Sequence, residues 1–321
     1  NLLIYAAITA AFVVLLLLVA TRLYFGGVLS MSETTSKRQK ITAREEAKLV
    51  RSSGALSAYL RKEYRLLFRS PVYFLNCALM LFIWPLLFLV PMLIALIAEL
   101  GSLGSLAEVM GTLGALMDEI QMTGQQAAFI GGIVILVCYG LTVFLGSSNL
   151  ICATAISREG GGCLFMKYIP MPYRQQVKAK LLSGLILGIL CTTGYLLIFF
   201  LIALAVGAPL PLPAVVLSVV VTVLLNGGMN IFQLWRDLCR PKLVWENEQQ
   251  AVKQNLNATI SMFLLWVIGL GLGALAVWLY TLTEMSPYLL AAGGCVILAV
   301  LDLFLYRVLM RAADRKIAAY E

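Results

Sequence analysis

The sequence predicts an all-α fold, a polytopic membrane protein of about seven transmembrane helices with its N-terminus outside and its C-terminus in the cytoplasm. Three observations carry that expectation. The first is composition: of 321 residues, 61% are hydrophobic and 12% charged, against roughly 25% charged in soluble domains. Charge becomes this sparse when lipid-facing and core-facing positions are both apolar. The second is a set of apolar stretches at 2–24, 72–98, 127–152, 181–207, 213–234, 257–281 and 288–309, each long enough to cross about 30 Å of hydrocarbon as a helix. The third is the placement of Lys and Arg. Segments 21–71, 157–180, 235–256 and 307–321 hold 11, 5, 4 and 4 of them, which is all 24. The intervening loops 99–126, 208–212 and 282–287 hold none, but contain Glu99, Glu108, Asp118, Glu119 and Glu284. Loops of seven spans must alternate sides, and the positive-inside rule puts the basic set in the cytoplasm. The net charge of +8 is thereby topology, and nucleic acid is not an expected partner.

Residues 1–25 read as a transmembrane helix of a preceding unit. Leu2–Ala20 is too long and uniform for a typical signal peptide. The expectation is a chain lacking an upstream part, with a processed mature terminus as the alternative. Residues 26–54 form a polar linker centred on Ser32–Lys40. Residues 55–71 form an amphipathic connecting helix, with Ser57, Arg61, Arg65 and Arg69 on one stripe and Leu56, Leu60, Tyr64 and Leu67 on the other. Such a helix lies in the membrane interface against anionic lipid, or also touches a cytoplasmic partner. Ser70-Pro71 ends it, and residues 72–321 make a six-span domain.

Within that domain, Pro85 and Pro91 kink the second span. Glu99–Gln126 is either a set of short surface helices or a solvated loop. Residues 208–213 make a tight turn that pairs the fourth and fifth spans. Asn226, Gly227, Gly228 and Asn230 close the fifth span, where small residues permit close approach and amides bond across helices. A substrate contact is the alternative role for the two asparagines. Trp245 is expected at the membrane interface. Asp302 is an intramembrane acid, a functional candidate by default, with a structural pairing to Arg307 as the other reading.

The polar island Ser157–Lys180 lies between two long uncharged runs, so it is expected in water between membrane crossings. Cys163–Tyr168 is expected as a short helix, broken by Pro170-Met171-Pro172. Gly160–Gly162 reads as backbone flexibility, since no Lys-Ser/Thr follows to make a phosphate loop. Histidine is absent, which removes the commonest general base and metal ligand. The seven cysteines form no CxxC pair and none falls in an outer loop. No catalytic residue, metal site or bound cofactor is therefore expected in this chain.

Three blocks, in order, carry a resemblance. They are Arg61–Asn76 (RKEYRLLFRSPVYFLN), Ile156–Lys180 with its Ser-Arg-Glu-Gly and Tyr-Ile-Pro-Met-Pro runs, and Asp237–Asn257 with Pro241–Asn247 and Ala251–Asn255. Together with the span order, they make nearly the whole chain resemble the permease subunits of ABC-2-type transporters, the exporters common in Gram-positive bacteria. The resemblance implies a permease in the cytoplasmic (plasma) membrane. It would pair with a separate ATP-hydrolysing subunit, which would carry the ATP and magnesium, and with a second permease half or a second copy. It also implies a coupling loop within Ser157–Arg174, through Ser157, Arg158, Glu159, Phe165, Tyr168, Pro170 and Arg174. The connecting helix would contribute Arg61, Arg65 and Arg69, and the next loop Asp237, Pro241, Lys242 and Trp245. The competing readings are an ion-coupled transporter using Asp302, a seven-helix receptor and a membrane scaffold.

Overall fold

The computed structural model describes residues 54–83, 124–205, 208 and 210–320, with isolated helical positions at 10, 13, 14, 17, 18, 21, 86 and 94. The compact unit Ser53–Glu321 holds the fold set out below, and Asn1–Ser52 is a unit of its own. Most of the expected first span, the linker up to residue 53, the proline kinks and most of the outer segment 99–126 lie outside the described residues.

The described residues are helical, without strands. Five helices are long and apolar enough to cross a membrane, or six if the bent pair Ala55–Arg69 and Pro71–Ile83 counts as one span. The chain is thus a multi-pass helical membrane protein. In order, the elements are α1 (Ala55–Arg69), α2 (Pro71–Ile83), α3 (Gly124–Ser147), α4 (Leu150–Ala153), a 3-10 segment (Ser157–Lys167), α5 (Tyr173–Ala205), α6 (Leu212–Cys239), α7 (Glu248–Val252), α8 (Leu256–Thr283) and α9 (Pro287–Ala319).

Local chemistry sets the boundaries. The Ser70-Pro71 step turns the chain by 87° between α1 and α2, and the Ser70 hydroxyl caps α2 by accepting from the Tyr73 amide at 3.3 Å. Prolines open α6 and α9, where a missing amide hydrogen costs nothing. Asn247 and Asn255 cap α7 and α8 through their side chains. Helices α5 and α9 each run 33 residues, or about 50 Å at ~1.5 Å per residue. That exceeds the hydrocarbon layer, so their ends project. The polar start of α5 and the arginine-rich end of α9 are such ends, and they meet the end of α6 in one apolar cluster around Ile156, Met166, Leu234, Leu238, Leu309 and Ile317.

Helix α1 is amphipathic, with Ser57, Arg61, Arg65 and Arg69 exposed. Its other face, however, packs on protein. Tyr59 and Leu67 are buried against Ala179 and Met171 on one side and Tyr73 and Cys77 on the other. Its apolar stripe is therefore partly covered by the bundle, with Leu67 buried and Leu56, Leu60 and Tyr64 half-buried.

Helix α6 is central, packing on α3, α4, α5, α8 and α9. Along it, Ser218, Thr222, Asn226, Asn230, Gln233 and Asp237 recur at three or four residues, all fully buried. Thr222 shares a hydrogen bond with Thr142 at 2.9 Å. The Asn226 amide donates to Thr192 at 3.0 Å, and Asn149 donates to the Asn230 carbonyl oxygen at 3.0 Å. Gln233 donates to the Ser147 carbonyl at 2.7 Å. Lipid removes the hydrophobic drive between helices, so such bonds and close packing hold the bundle.

This stripe generates a direct check. A double-mutant cycle on Asn149→Ala and Asn230→Ala, read by thermal unfolding in detergent, is expected to give a coupling of about 0.5–2 kcal/mol. Strict additivity would contradict the bond.

Candidate functional site

The site is built around the 3-10 segment at the basic end of the bundle. Its first residue is fully enclosed. The Asp237 carboxylate, at the end of α6, accepts from the amides of Ile156 (2.6 Å) and Ser157 (3.1 Å) and from the Ser157 hydroxyl. That hydroxyl oxygen in turn accepts from the Lys242 amide at 2.9 Å. The Ser157 carbonyl accepts from the Trp245 indole at 3.0 Å. Asp237, Lys242 and Trp245 from the second loop thus converge on one residue of the first. Trp245 is half-buried and spends its indole hydrogen on this bond. Pro241 starts the extended stretch that carries Lys242 and Trp245 there, and the Lys242 ammonium ties the same stretch to the Gln254 carbonyl at 3.0 Å.

Gly160 explains how the segment turns. Its φ is +53°, a region L residues avoid, and a Cβ there would lie 2.6 Å from the Trp245 ring. The sequence reading of Gly160 as flexibility is corrected: it is a fixed turn packed under an indole. The 3-10 turns start at Ser157 and are broken at Gly160, so the piece that carries Cys163–Lys167 follows that glycine, and the break at Pro170–Pro172 stands where the prolines put it.

A buried charge cluster anchors the next residues. Lys180, fully buried on α5, donates to Glu63 of α1 at 2.9 Å, to Glu159 at 2.5 Å and to the Ala155 carbonyl at 3.1 Å. An ammonium has three hydrogens to donate, and all are used. Lys62 pairs with Glu63 at 3.3 Å and with Glu159, and lies 4.9 Å above the Tyr59 ring. Burial pushes the Glu159 carboxyl up, but the Lys180 and Lys62 ammoniums outweigh it and hold the group at about 2, below its ordinary 4.5. The cluster joins α1, the 3-10 segment and α5.

Arg158 is 3% exposed. Its guanidinium lies 5.8 Å from the Tyr73 ring of α2, and its carbonyl accepts from the Tyr73 hydroxyl at 3.3 Å. The expectation of a water-exposed island is therefore corrected for Ser157, Arg158 and Lys180, which face inward and cannot meet a partner directly. The surface is made by other residues. Phe165 is 69% exposed and Tyr168 80%, with Leu164, Pro170 and Val244 also exposed. Arg174 is outward and pairs with Asp314 of α9 at 2.6 Å, an exposed contact worth at most about 1 kcal/mol. Arg61, Arg65 and Arg69 are exposed on α1 and make no ion pair among the described residues.

The remaining candidates lie elsewhere. Asn226 and Asn230 bond across helices in the central stripe. Asp302, on α9, has no ion pair with Arg307, which corrects the structural pairing. Its carboxylate instead faces the Gly227-Gly228 backbone of α6. Sequence reasoning missed Tyr59, Lys62, Glu63 and the anchoring role of Lys180. Glu63 could have been found, because it sits opposite the arginine stripe on an otherwise apolar face. Ser218, Thr222 and Gln233 were also missed, although their spacing of three to four from Asn226 and Asn230 was visible.

Comparison with protein-family models, with curated proteins and with solved structures found no match for this chain.

Two outcomes are expected. Lys180→Met leaves two buried carboxylates short of a partner and should lower stability by about 3–5 kcal/mol, with Glu63→Leu added to it recovering part of the loss, as read by thermal unfolding in detergent. For pH, the folded value of Glu159 lies below its unfolded one. Its contribution is therefore complete above the ordinary 4.5 and is lost as pH falls toward about 2. Unfolding followed from pH 6 to pH 2.5 should show a steeper loss in wild type than in Glu159→Gln. Equal slopes would contradict the pairing.

Proposed function

We propose that this chain is the permease component of an ATP-binding-cassette exporter of the ABC-2 type. It moves substrate across the cytoplasmic membrane by alternating access, driven by a separate ATPase subunit that holds ATP and magnesium. The basic end of the bundle is its cytoplasmic face. One observation carries the reading: an exposed aromatic tip, Phe165 and Tyr168, stands on a backbone segment tied by hydrogen bonds and ion pairs to α1, α2, α5 and α6. A push on the tip has no slack to take up, so it reaches those helices together. Interiors packed this closely shift between discrete arrangements and do not deform smoothly. Ser157, Arg158, Glu159 and Asp237 are the anchor of this device, and Phe165, Tyr168 and Pro170 are its contact surface. The arginines of α1 and the pair Arg174–Asp314 flank it. The three sequence blocks that resemble ABC-2 permeases include the anchor residues and the surface.

The test is purification of the full tagged chain from its native cells in mild detergent, with bound proteins identified by mass spectrometry. The expected result is a stoichiometric subunit bearing a G-x-x-x-x-G-K-[ST] phosphate loop, lost in Phe165→Asp/Tyr168→Asp while the permease stays monodisperse. Absence of such a subunit, or its full retention by the double variant, would overturn the proposal.

A further inference from the structure

A groove of about 540 Å³ opens on the side of the bundle between α5 and α9, with α6 as its floor. Its walls are aliphatic, from Leu182, Leu185, Leu224, Ile231 and Leu303. The one acid among its lining residues is Asp302. Asp302 follows Pro287, the first residue of α9, by 15 positions, which is ~22 Å along the helix at ~1.5 Å per residue and so within the membrane. Both carboxylate oxygens tuck against α6, which has no side chain opposite, at the edge of the groove. A Cβ on Gly228 would stand 2.5 Å from Oδ1, and one on Gly227 2.9 Å from Oδ2.

Those glycine amides are used within the helix, so α6 offers room but no free donor. Asp302 has no hydrogen bond or ion pair among the described residues. Lys178 and Tyr306 line the same groove. Lys178 is exposed and also borders the separate recess beside Gly54 and Ser57, so it stands at the mouth. Its ammonium makes no ion pair with Asp302. An acid at membrane depth without a partner is costly and marks a functional position, and 540 Å³ is within the usual size of a small-molecule site, roughly 300–1,000 Å³.

We propose that this groove is a binding site for a hydrophobic organic cation. The apolar body fills the aliphatic walls, and the onium or ammonium centre sits against the Asp302 carboxylate. A lipid acyl chain would satisfy the walls but leave the acid unpaired, and a hydrophobic anion would meet repulsion at Asp302. Binding needs neither ATP nor a partner subunit, so its outcome bears on the groove alone.

The experiment measures radiolabelled tetraphenylphosphonium binding to the full chain in nanodiscs of zwitterionic lipid, with empty nanodiscs subtracted. Tetraphenylborate, of the same shape and opposite charge, is the competitor. The expected result is saturable binding at one site, weakened at least tenfold in Asp302→Asn, unchanged or tighter in Lys178→Ala, and not displaced by tetraphenylborate. Absence of saturable binding, equal affinity in Asp302→Asn, weakening in Lys178→Ala, or displacement by the anion would each overturn it. Should Asp302→Asn fail to fold, Leu185→Trp fills the groove without touching the carboxylate. Lost binding in that variant supports the site, and unchanged binding overturns it.

Discussion

A single buried ammonium, that of Lys180, decides how the basic end of this molecule is put together. It is fully enclosed. Each of its hydrogens must therefore go to a protein oxygen, and the acceptors come from Glu63, Glu159 and the Ala155 carbonyl. These lie on α1, on the 3-10 segment and just ahead of it. Removing either carboxylate leaves a positive charge without its partner in a largely closed interior. The cluster thereby resists separation of α1, the 3-10 segment and α5, which is what a mechanical connection needs. A hydrophobic contact could hold α1 on α5 as firmly, but it would tolerate sliding. Two lysines between two carboxylates do not.

The second constraint runs along α6. Its buried polar stripe ends at Asp237, which caps the start of the 3-10 segment. The same helix edge that bonds to α3, α4 and α5 through Thr222, Asn226, Asn230 and Gln233 therefore also grips the loop. A displacement of the loop is passed to the helix that touches nearly every other span. Three acceptor or hydroxyl groups in the stripe, on Ser218, Asn226 and Gln233, have no protein partner. In the Lys180 cluster the second Glu63 oxygen and the Tyr59 hydroxyl are likewise without a protein partner.

Much of this architecture was legible in the sequence, for physical reasons that differ by element. Apolar runs marked the spans, because lipid exposure demands unbroken hydrophobicity. Ser70-Pro71 and Pro170–Pro172 marked breaks, because proline forbids helix continuation. The exposed arginine stripe of α1 followed from a spacing of four. What could not be read was which charges turn inward. Lys178 and Lys180 stand two positions apart on one helix. One is exposed and the other is the best-buried cation among the described residues, a difference made by α1 packing alongside. Likewise the preference of tryptophan for the membrane interface says nothing of the bond that Trp245 makes. Only the tertiary approach of two loops shows it spending its indole hydrogen on Ser157. Gly160 looked flexible for the reason that makes it indispensable as a fixed turn.

The central claim is that the 3-10 segment is a rigid part of the bundle and not a solvated loop. Hydrogen–deuterium exchange of the full chain in nanodiscs tests it most directly. The amides of Ile156 and Ser157, which donate to the buried Asp237 carboxylate, should exchange as slowly as amides in the middle of α6. The amides around Phe165 and Tyr168 should exchange faster. Rapid exchange throughout 156–168, at the rate of an open loop, would contradict the account.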